Sequence, residues 1–294
     1  RKLVHLCGDA VREGARALVT VGAAPSNHCR MTAAAGARLG LETHLVLSGD
    51  PPAGEATGNQ LLSQLFGAQL HHTGADESHW GELEIAREAL TAELASEGLA
   101  PYSIPIGGST DVGAVGYAEA FVELMAQCRD VEITPKAVVV TSSSGGTHAG
   151  LLAGRAALLA TGELDADSAP DIVAVGVAKG VVLGLPDPVD LADRALLRIG
   201  IDAHVDHADL EDDGRWMGDD SAVPTEAGDE AIRWGATANG LLLDRTYSGK
   251  GLSGLLGLLA EGRWEAGDDV VFSHTGGWPA LFAPGGTPGI AAPR

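Results

Sequence analysis

Three stretches place small hydroxyl, amide and glycine residues where an apolar run gives way to helical periodicity. Gly22-Ala-Ala-Pro-Ser-Asn-His28 follows one such run and opens a helix. Ser26 and Asn27 fall at its N-cap, where free backbone N–H groups and the helix dipole attract an anion. A plain Ser/Asn cap is the structural alternative for this stretch taken alone. Thr141-Ser-Ser-Ser-Gly-Gly-Thr-His-Ala-Gly150 repeats the pattern with three serines, two glycines and Thr147 in one turn. Such a turn offers a phosphate both close backbone approach and several hydroxyls. A GxxxxGK[ST] loop is lacking, so a nucleoside triphosphate is not implied.

The third stretch runs from Asp244 to Gly254 and is followed by His274-Thr-Gly-Gly277. Gly249, Gly251 and Gly254 match GxGxxG, the fingerprint of an NAD-dependent oxidoreductase. Arg245 to Ser248 separate that motif from any strand, however. The next acidic pair, Asp268 and Asp269, precedes a strand instead of ending one, so these glycines read as packing and turn residues. His71, His72 and His79, or His204 and His207, lack a closed ligand set and read as surface histidines, with no metal site.

The elements that must carry these stretches alternate. Apolar runs at 17–21, 43–47, 69–72, 102–106, 137–141, 172–177, 240–243 and 270–274 read as strands. Helical periodicity lies at 28–39, 82–96, 117–127, 147–159, 226–237 and 252–259. Alternation of this kind predicts an α/β fold of mostly parallel sheets with helices on both faces. With four strands on each side of the Gly-rich stretch 106–116, two lobes are expected. Residues 4–112 are expected to form the small one and residues 113–294 the large one, with the site in the cleft between strand carboxyl ends and helix amino ends. No internal repeat is visible. Residues 202–220 are acidic and read as a surface excursion, and residues 284–294 as a frayed tail.

Composition narrows the function. With 40 Asp+Glu against 19 Lys+Arg, the formal net charge is −21, which opposes binding to nucleic acid or to an anionic membrane surface. No apolar run approaches the roughly 20 residues that span a bilayer. Cys7, Cys29 and Cys128 are odd in number and widely spaced, which fits a reducing, cytoplasmic compartment. Lysine occurs only at Lys2, Lys136, Lys179 and Lys250. The chain starts at Arg1, and an N-terminal segment is expected to be missing.

In order, these segments resemble the pyridoxal-phosphate enzymes that include D-cysteine desulfhydrase, 1-aminocyclopropane-1-carboxylate deaminase and L-cysteate sulfo-lyase. The resemblance runs from Arg1-Lys-Leu3 to Pro279-Ala-Leu-Phe282. It includes Pro25-Ser-Asn-His28, Ala37-Arg-Leu-Gly-Leu41, Ile104-Pro-Ile-Gly-Gly-Ser109, Gly113-Ala-Val-Gly-Tyr117, Ser144-Gly-Gly-Thr-His-Ala-Gly150 and His274-Thr-Gly-Gly277. It implies the two-lobed tryptophan-synthase-β-like fold (fold type II), a homodimer, a small amino-acid substrate and pyridoxal 5′-phosphate as cofactor.

Carried over residue by residue, the resemblance gives Ser144, Gly145, Gly146 and Thr147 the cofactor phosphate, with Lys2 as a further charge. Asn27 takes the phenolic oxygen, and Ser26 with its neighbours Asn27 and His28 the substrate carboxylate. Tyr247 lies against the ring and acts on the substrate or its leaving group. Ser248 stands where the family places a partner for the pyridine nitrogen, and Thr275 contacts the substrate. Ser248 and Thr275 replace the Glu and Leu expected of the deaminase, which implies a lyase of desulfhydrase type. The family's Schiff-base lysine would stand two residues before Arg1, and none of the four lysines matches it. Ser221 stands where the family has a tyrosine. The alternatives are the deaminase, the sulfo-lyase and a non-catalytic cofactor-binding homologue.

Overall fold

The computed structural model describes residues 1–76, 79–178, 187–220 and 222–289. The first half runs α1 (Lys2–Arg12), β1 (Ala17–Gly22), α2 (Asn27–Leu39), β2 (Glu42–Leu47), α3 (Gly58–Leu65), β3 (Gln69–His72), α4 (Trp80–Ser96) and β4 (Pro101–Ile104). After α5 (Asp111–Asp130) come β5 (Ala137–Ser142), α6 (Gly146–Thr161), β6 (Asp171–Gly176), α7 (Pro188–Arg198) and β7 (Glu211–Asp213). The chain then continues through α8 (Glu226–Asn239), α9 (Ser248–Ala260) and β8 (Val270–Ser273).

Each half builds a four-stranded parallel sheet, in the orders β3-β2-β1-β4 and β7-β6-β5-β8. The same order recurs, shifted by four strands, so the repeat absent from the sequence is present in the topology. In both sheets the chain steps outward twice from its first strand and then returns to that strand's other side. Crossovers on either side of β1 and β5 therefore leave a gap at the β1/β4 and β5/β8 carboxyl ends, where parallel sheets place ligands.

Strand faces explain the layers. On β1, Leu18 shares a core with α1 and Ile104, while Val21 packs with Val46 and Leu83 of α4. On β5, Val138 and Val140 face α5, α6 and α7, and Val139 faces α8 and α9. All six residues of β1 are buried, as expected of a parallel strand covered on both faces. Among the described residues no helix is long and apolar enough to cross a membrane.

Two strand assignments change. Residues 240–243 are irregular: Gly240 ends α8 in the left-handed conformation (φ 66°), and Leu243 is buried without joining a sheet. An apolar run this short cannot distinguish burial from pairing. The fourth strand of the second sheet is instead β7, inside the stretch read as an excursion. Its acidic edge residues are neutralised, Glu211 by Arg263 and Asp213 by Arg215 (2.7 Å). Charge on an edge strand also discourages further pairing. The helices α1, α3 and α7 add to those read from the sequence.

The α5–α6 crossing depends on missing side chains. A Cβ on Gly154 would stand 2.6 Å from the Ala118 carbonyl oxygen and 2.7 Å from the Phe121 Cβ. Gly8, on an exposed turn of α1, has nothing within 4 Å of the same position. Gly154→Ala is therefore expected to destabilise the protein by ~1–3 kcal/mol through overpacking. Gly8→Ala should stabilise it by ~0.5–1 kcal/mol through helix propensity. Urea unfolding of the two variants checks this, and equal midpoints would contradict the packing.

Candidate active site

Both switch points open onto one cleft of about 180 Å³. Its wall is made by residues following β1, β4, β5, β6 and β8 and by the amino ends of α1, α2, α4, α6 and α9. Parallel strands aim their connecting turns the same way, which is why segments so distant in sequence share this wall.

From α2 come Ser26, Asn27 and His28. Ser26 is the N-cap, and its Oγ accepts the Cys29 N–H (3.1 Å), which leaves its own O–H to donate. His28 Nε2 lies 2.8 Å from Thr20 Oγ1, and that hydroxyl donates to the Ile104 carbonyl (2.9 Å). With its proton committed, Thr20 can only accept, so Nε2 of His28 carries the hydrogen and Nδ1 is the acceptor. Burial, reinforced by the Lys2 charge, pulls the His28 pKa down to about 3, so the ring is neutral.

Opposite stands α6. Its N-cap, Gly145, is left-handed (φ 76°) and supplies no side-chain cap. The first helical N–H groups have no intrahelical partner. That of Gly146 is taken by Ser109 Oγ (3.1 Å), and those of Thr147 and His148 remain at the helix end with its positive dipole. The Ser109 hydroxyl donates to Ser144 Oγ (2.8 Å), so Ser144 has its own proton to give. Gly146 itself stands behind the wall, its Cα so close that a Cβ would lie 2.5 Å from Ser109 Oγ. Lys2 is the one lysine on the wall among the described residues, and burial lowers its pKa to about 8.

The third side is a turn organised by one carboxylate. Buried Asp244 accepts the N–H groups of Thr246 (3.1 Å), Tyr247 (2.9 Å) and Ser248 (2.9 Å) and the hydroxyl of Ser248 (2.6 Å). Arg245 anchors the turn to α8 through both oxygens of Asp229 (2.7 and 2.6 Å). Tyr247 is thereby held on the cleft wall beside Thr275 and Gly276.

Most of the residues expected from the sequence meet here, but not Ser248. It is buried outside the wall, donating to Asp244 and accepting the backbone N–H of Asp244 (2.9 Å), so its proton is committed within the turn. Gly249, Gly251 and Gly254 pack α9 against Ile232, Thr141 and Val175, away from any dinucleotide turn. Lys250 gives its ammonium to the carbonyls of Met217 (2.7 Å) and Asp220 (2.8 Å), and Lys136 is exposed. Lys179 and Ser221 lie outside the described residues. His71 is not a simple surface histidine: its Nε2 meets Nδ1 of buried His44 at 3.1 Å, with the rings stacked.

Sequence reasoning gave no role to Thr20, Asn59, Trp80, Ser109 or Tyr117. Trp80 and Tyr117 line the cleft, and the other three hold residues that do. The blocks ending in Gly-Gly-Ser109 and Gly-Tyr117 carried the signal for two of them, as small polar or aromatic residues beside a strand-to-helix turn.

Comparison with known proteins agrees with this geometry. Residues 1–276 match the family model described as pyridoxal-phosphate dependent enzyme. Over 291 residues the chain is 37% identical to a D-cysteine desulfhydrase of Salmonella typhi, covering 96% of this chain and 83% of that relative. The D-cysteine desulfhydrase of Salmonella newport (strain SL254) matches equally, at 37% over the same coverage. The crystal structure of an ACC deaminase homologue superposes with a TM-score of 0.82 at 33% identity, covering 96% of this chain and 80% of that one. A threonine deaminase of T.th. shares the fold at a TM-score of 0.58 and 20% identity, covering 91% of this chain and 80% of its own. By sequence, by fold and by the placement of its cleft, the chain belongs to the family of pyridoxal-phosphate dependent enzymes.

Proposed function

We propose that the protein is a lyase of D-cysteine desulfhydrase type, which eliminates the β-substituent of a small amino acid to give pyruvate, ammonia and sulfide. The observation that carries this reading is the uncapped amino end of α6 facing Ser26–His28 across a single cleft.

The residues present fit pyridoxal phosphate. A phosphate at the α6 end would take the Thr147 and His148 N–H groups and the Ser144 and Thr147 hydroxyls, with Lys2 as counter-charge. Asn27 would donate to the phenolic oxygen. When bound, the cofactor supplies an electron sink for negative charge at the substrate's α-carbon. The Ser26 hydroxyl, with its proton free to donate, would hold the substrate carboxylate beside the amino end of α2. Tyr247 would lie against the ring and pass a proton to the departing sulfur. The neutral His28, fixed by Thr20, adds no positive charge, which leaves Lys2 and the helix dipoles to balance the anions.

The lining favours a substrate with a good leaving group. Among the described residues no Asp or Glu stands on the cleft wall, so no carboxylate is there to keep the pyridine nitrogen protonated. A shallower electron sink disfavours cleavage of an unactivated ring carbon bond more than expulsion of thiolate. A second reading, the deaminase, has the ACC deaminase homologue at 33% identity in its favour.

Two outcomes are expected. Full-length protein should release pyruvate and sulfide from D-cysteine at least about tenfold faster than it forms 2-oxobutyrate from aminocyclopropane carboxylate, about 1.4 kcal/mol of differential transition-state stabilisation. Faster 2-oxobutyrate formation would reverse the assignment, and turnover of neither with cofactor bound would favour a binding protein. Ser144→Asp should raise the dissociation constant for pyridoxal phosphate at least about tenfold, since it sets a carboxylate against a dianion. Ser168→Asp, on an exposed turn far from the cleft, should leave it unchanged. Equal titration curves for the two variants would remove Ser144 from the phosphate site.

A further inference from the structure

Asn59, on the first turn of α3, is 2% exposed and is not itself part of the cleft wall. Its side-chain amide makes three contacts. Nδ2 lies 2.7 Å from the Pro25 carbonyl oxygen and 2.8 Å from Asn27 Oδ1, and Oδ1 lies 3.3 Å from Arg30 Nε.

The orientation of this amide follows from its partners alone. A proline carbonyl can only accept, so the Asn59 atom facing Pro25 must be nitrogen. An arginine Nε–H can only donate, so the atom facing Arg30 must be oxygen. Both constraints select the same rotamer of the amide, whose two ends only the hydrogen-bond network tells apart. The nitrogen so fixed also faces Asn27, and the Asn27 atom it meets must therefore be oxygen. That leaves the Asn27 NH2, which has no bond to another described residue, as the group turned from Asn59 on the cleft wall.

We infer that Asn59 is a positioning residue: it holds Asn27 so that the cleft meets an N–H donor there and never a carbonyl acceptor. This rests on the reading that Asn27 meets the cofactor's phenolic oxygen. A free asparagine can flip its amide and present either end, and only one end suits an oxygen that carries negative charge. Pre-orienting the donor removes the cost of selecting that rotamer at binding. The anchor is itself braced from the far end of the chain. Gly58 (φ 53°) precedes Asn59, and a Cβ there would stand 3.0 Å from the Ala283 Cβ and 3.3 Å from the Pro279 carbonyl oxygen. The short helix Trp278–Phe282, which follows the wall residues Thr275 and Gly276, thus seats the start of α3.

A double-mutant cycle in the full-length protein, read as the dissociation constant for pyridoxal phosphate, tests this. Asn59→Asp keeps size and the bond from Arg30 but offers only acceptors to Pro25 and to Asn27, so Asn27 must turn its NH2 inward. Asn59→Asp is expected to weaken binding about tenfold with Asn27 intact and less than about twofold in an Asn27→Ala background, because residues acting as a unit are non-additive. A 3-O-methyl analogue of the cofactor, whose phenolic oxygen cannot carry charge, should lose little affinity in either variant. Equal losses in both backgrounds, or equal losses for cofactor and analogue, would make Asn59 merely structural and overturn the inference. If Asn27→Ala weakens binding and Asn59→Asp does not, the inference fails while the phenolic-oxygen reading stands. If Asn27→Ala has no effect, that reading fails and takes the inference with it. Should Asn59→Asp not fold, the side-chain NH2 resonances of the wild-type protein decide. Those of Asn27 shifting on cofactor addition, with those of Asn59 fixed, supports the inference, and the reverse pattern overturns it.

Discussion

One buried hydroxyl ties the connection after the first sheet to the loop that opens α6. Ser109, in the connection after β4, accepts the Gly146 N–H at the start of α6 and donates to Ser144 in the loop after β5. Through it the first sheet sets the shape of the loop that ends the second. Glycine at position 146 is what allows the approach, because a Cβ there would occupy the place of Ser109. With the loop held from behind, the remaining α6 amides and the Ser144 hydroxyl are left for the cleft. A helix end that spent one of those groups on a side-chain cap would have fewer to offer an anion.

The same economy of donors runs around the site. Thr20 commits its proton to a backbone carbonyl and so decides which His28 nitrogen carries hydrogen. Asp244 absorbs four donors and so presents Tyr247 while withdrawing Ser248. In each case a group off the cleft wall fixes what the wall presents. That matters in a chain with a formal charge of −21, whose overall field repels the anions the cleft is built for. Attraction has to come from local, oriented dipoles and from Lys2, and both act over short distances in a partly desolvated space.

Much of this was legible in the sequence, for identifiable reasons. Six of the eight runs read as strands lie on observed strands to within about one residue, because most strands of a covered parallel sheet are near-continuous apolar runs. The two polar turns that meet at the cleft were legible because small hydroxyl and glycine residues cluster there at strand-to-helix junctions. Residues 240–243 and 211–213 misled for opposite reasons. The first is apolar yet unpaired, and the second is charged yet paired, its charge answered by neighbouring Arg215 and by Arg263, 52 residues along the chain. Asn59 was illegible as a functional residue because it acts on a partner 32 residues away. Nothing local marks a buried asparagine as the orienter of another.

The proposed function requires the amino end of α6 and the α2 turn to grip opposite ends of one cofactor. A crystal structure of the full-length protein grown with pyridoxal phosphate tests it most directly. The expected result is a phosphate within hydrogen-bonding distance of the Thr147 and His148 amides and the Ser144 hydroxyl, with the phenolic oxygen at the Asn27 NH2. A phosphate seated elsewhere, or a ring turned so that Asn27 meets no oxygen, would contradict it.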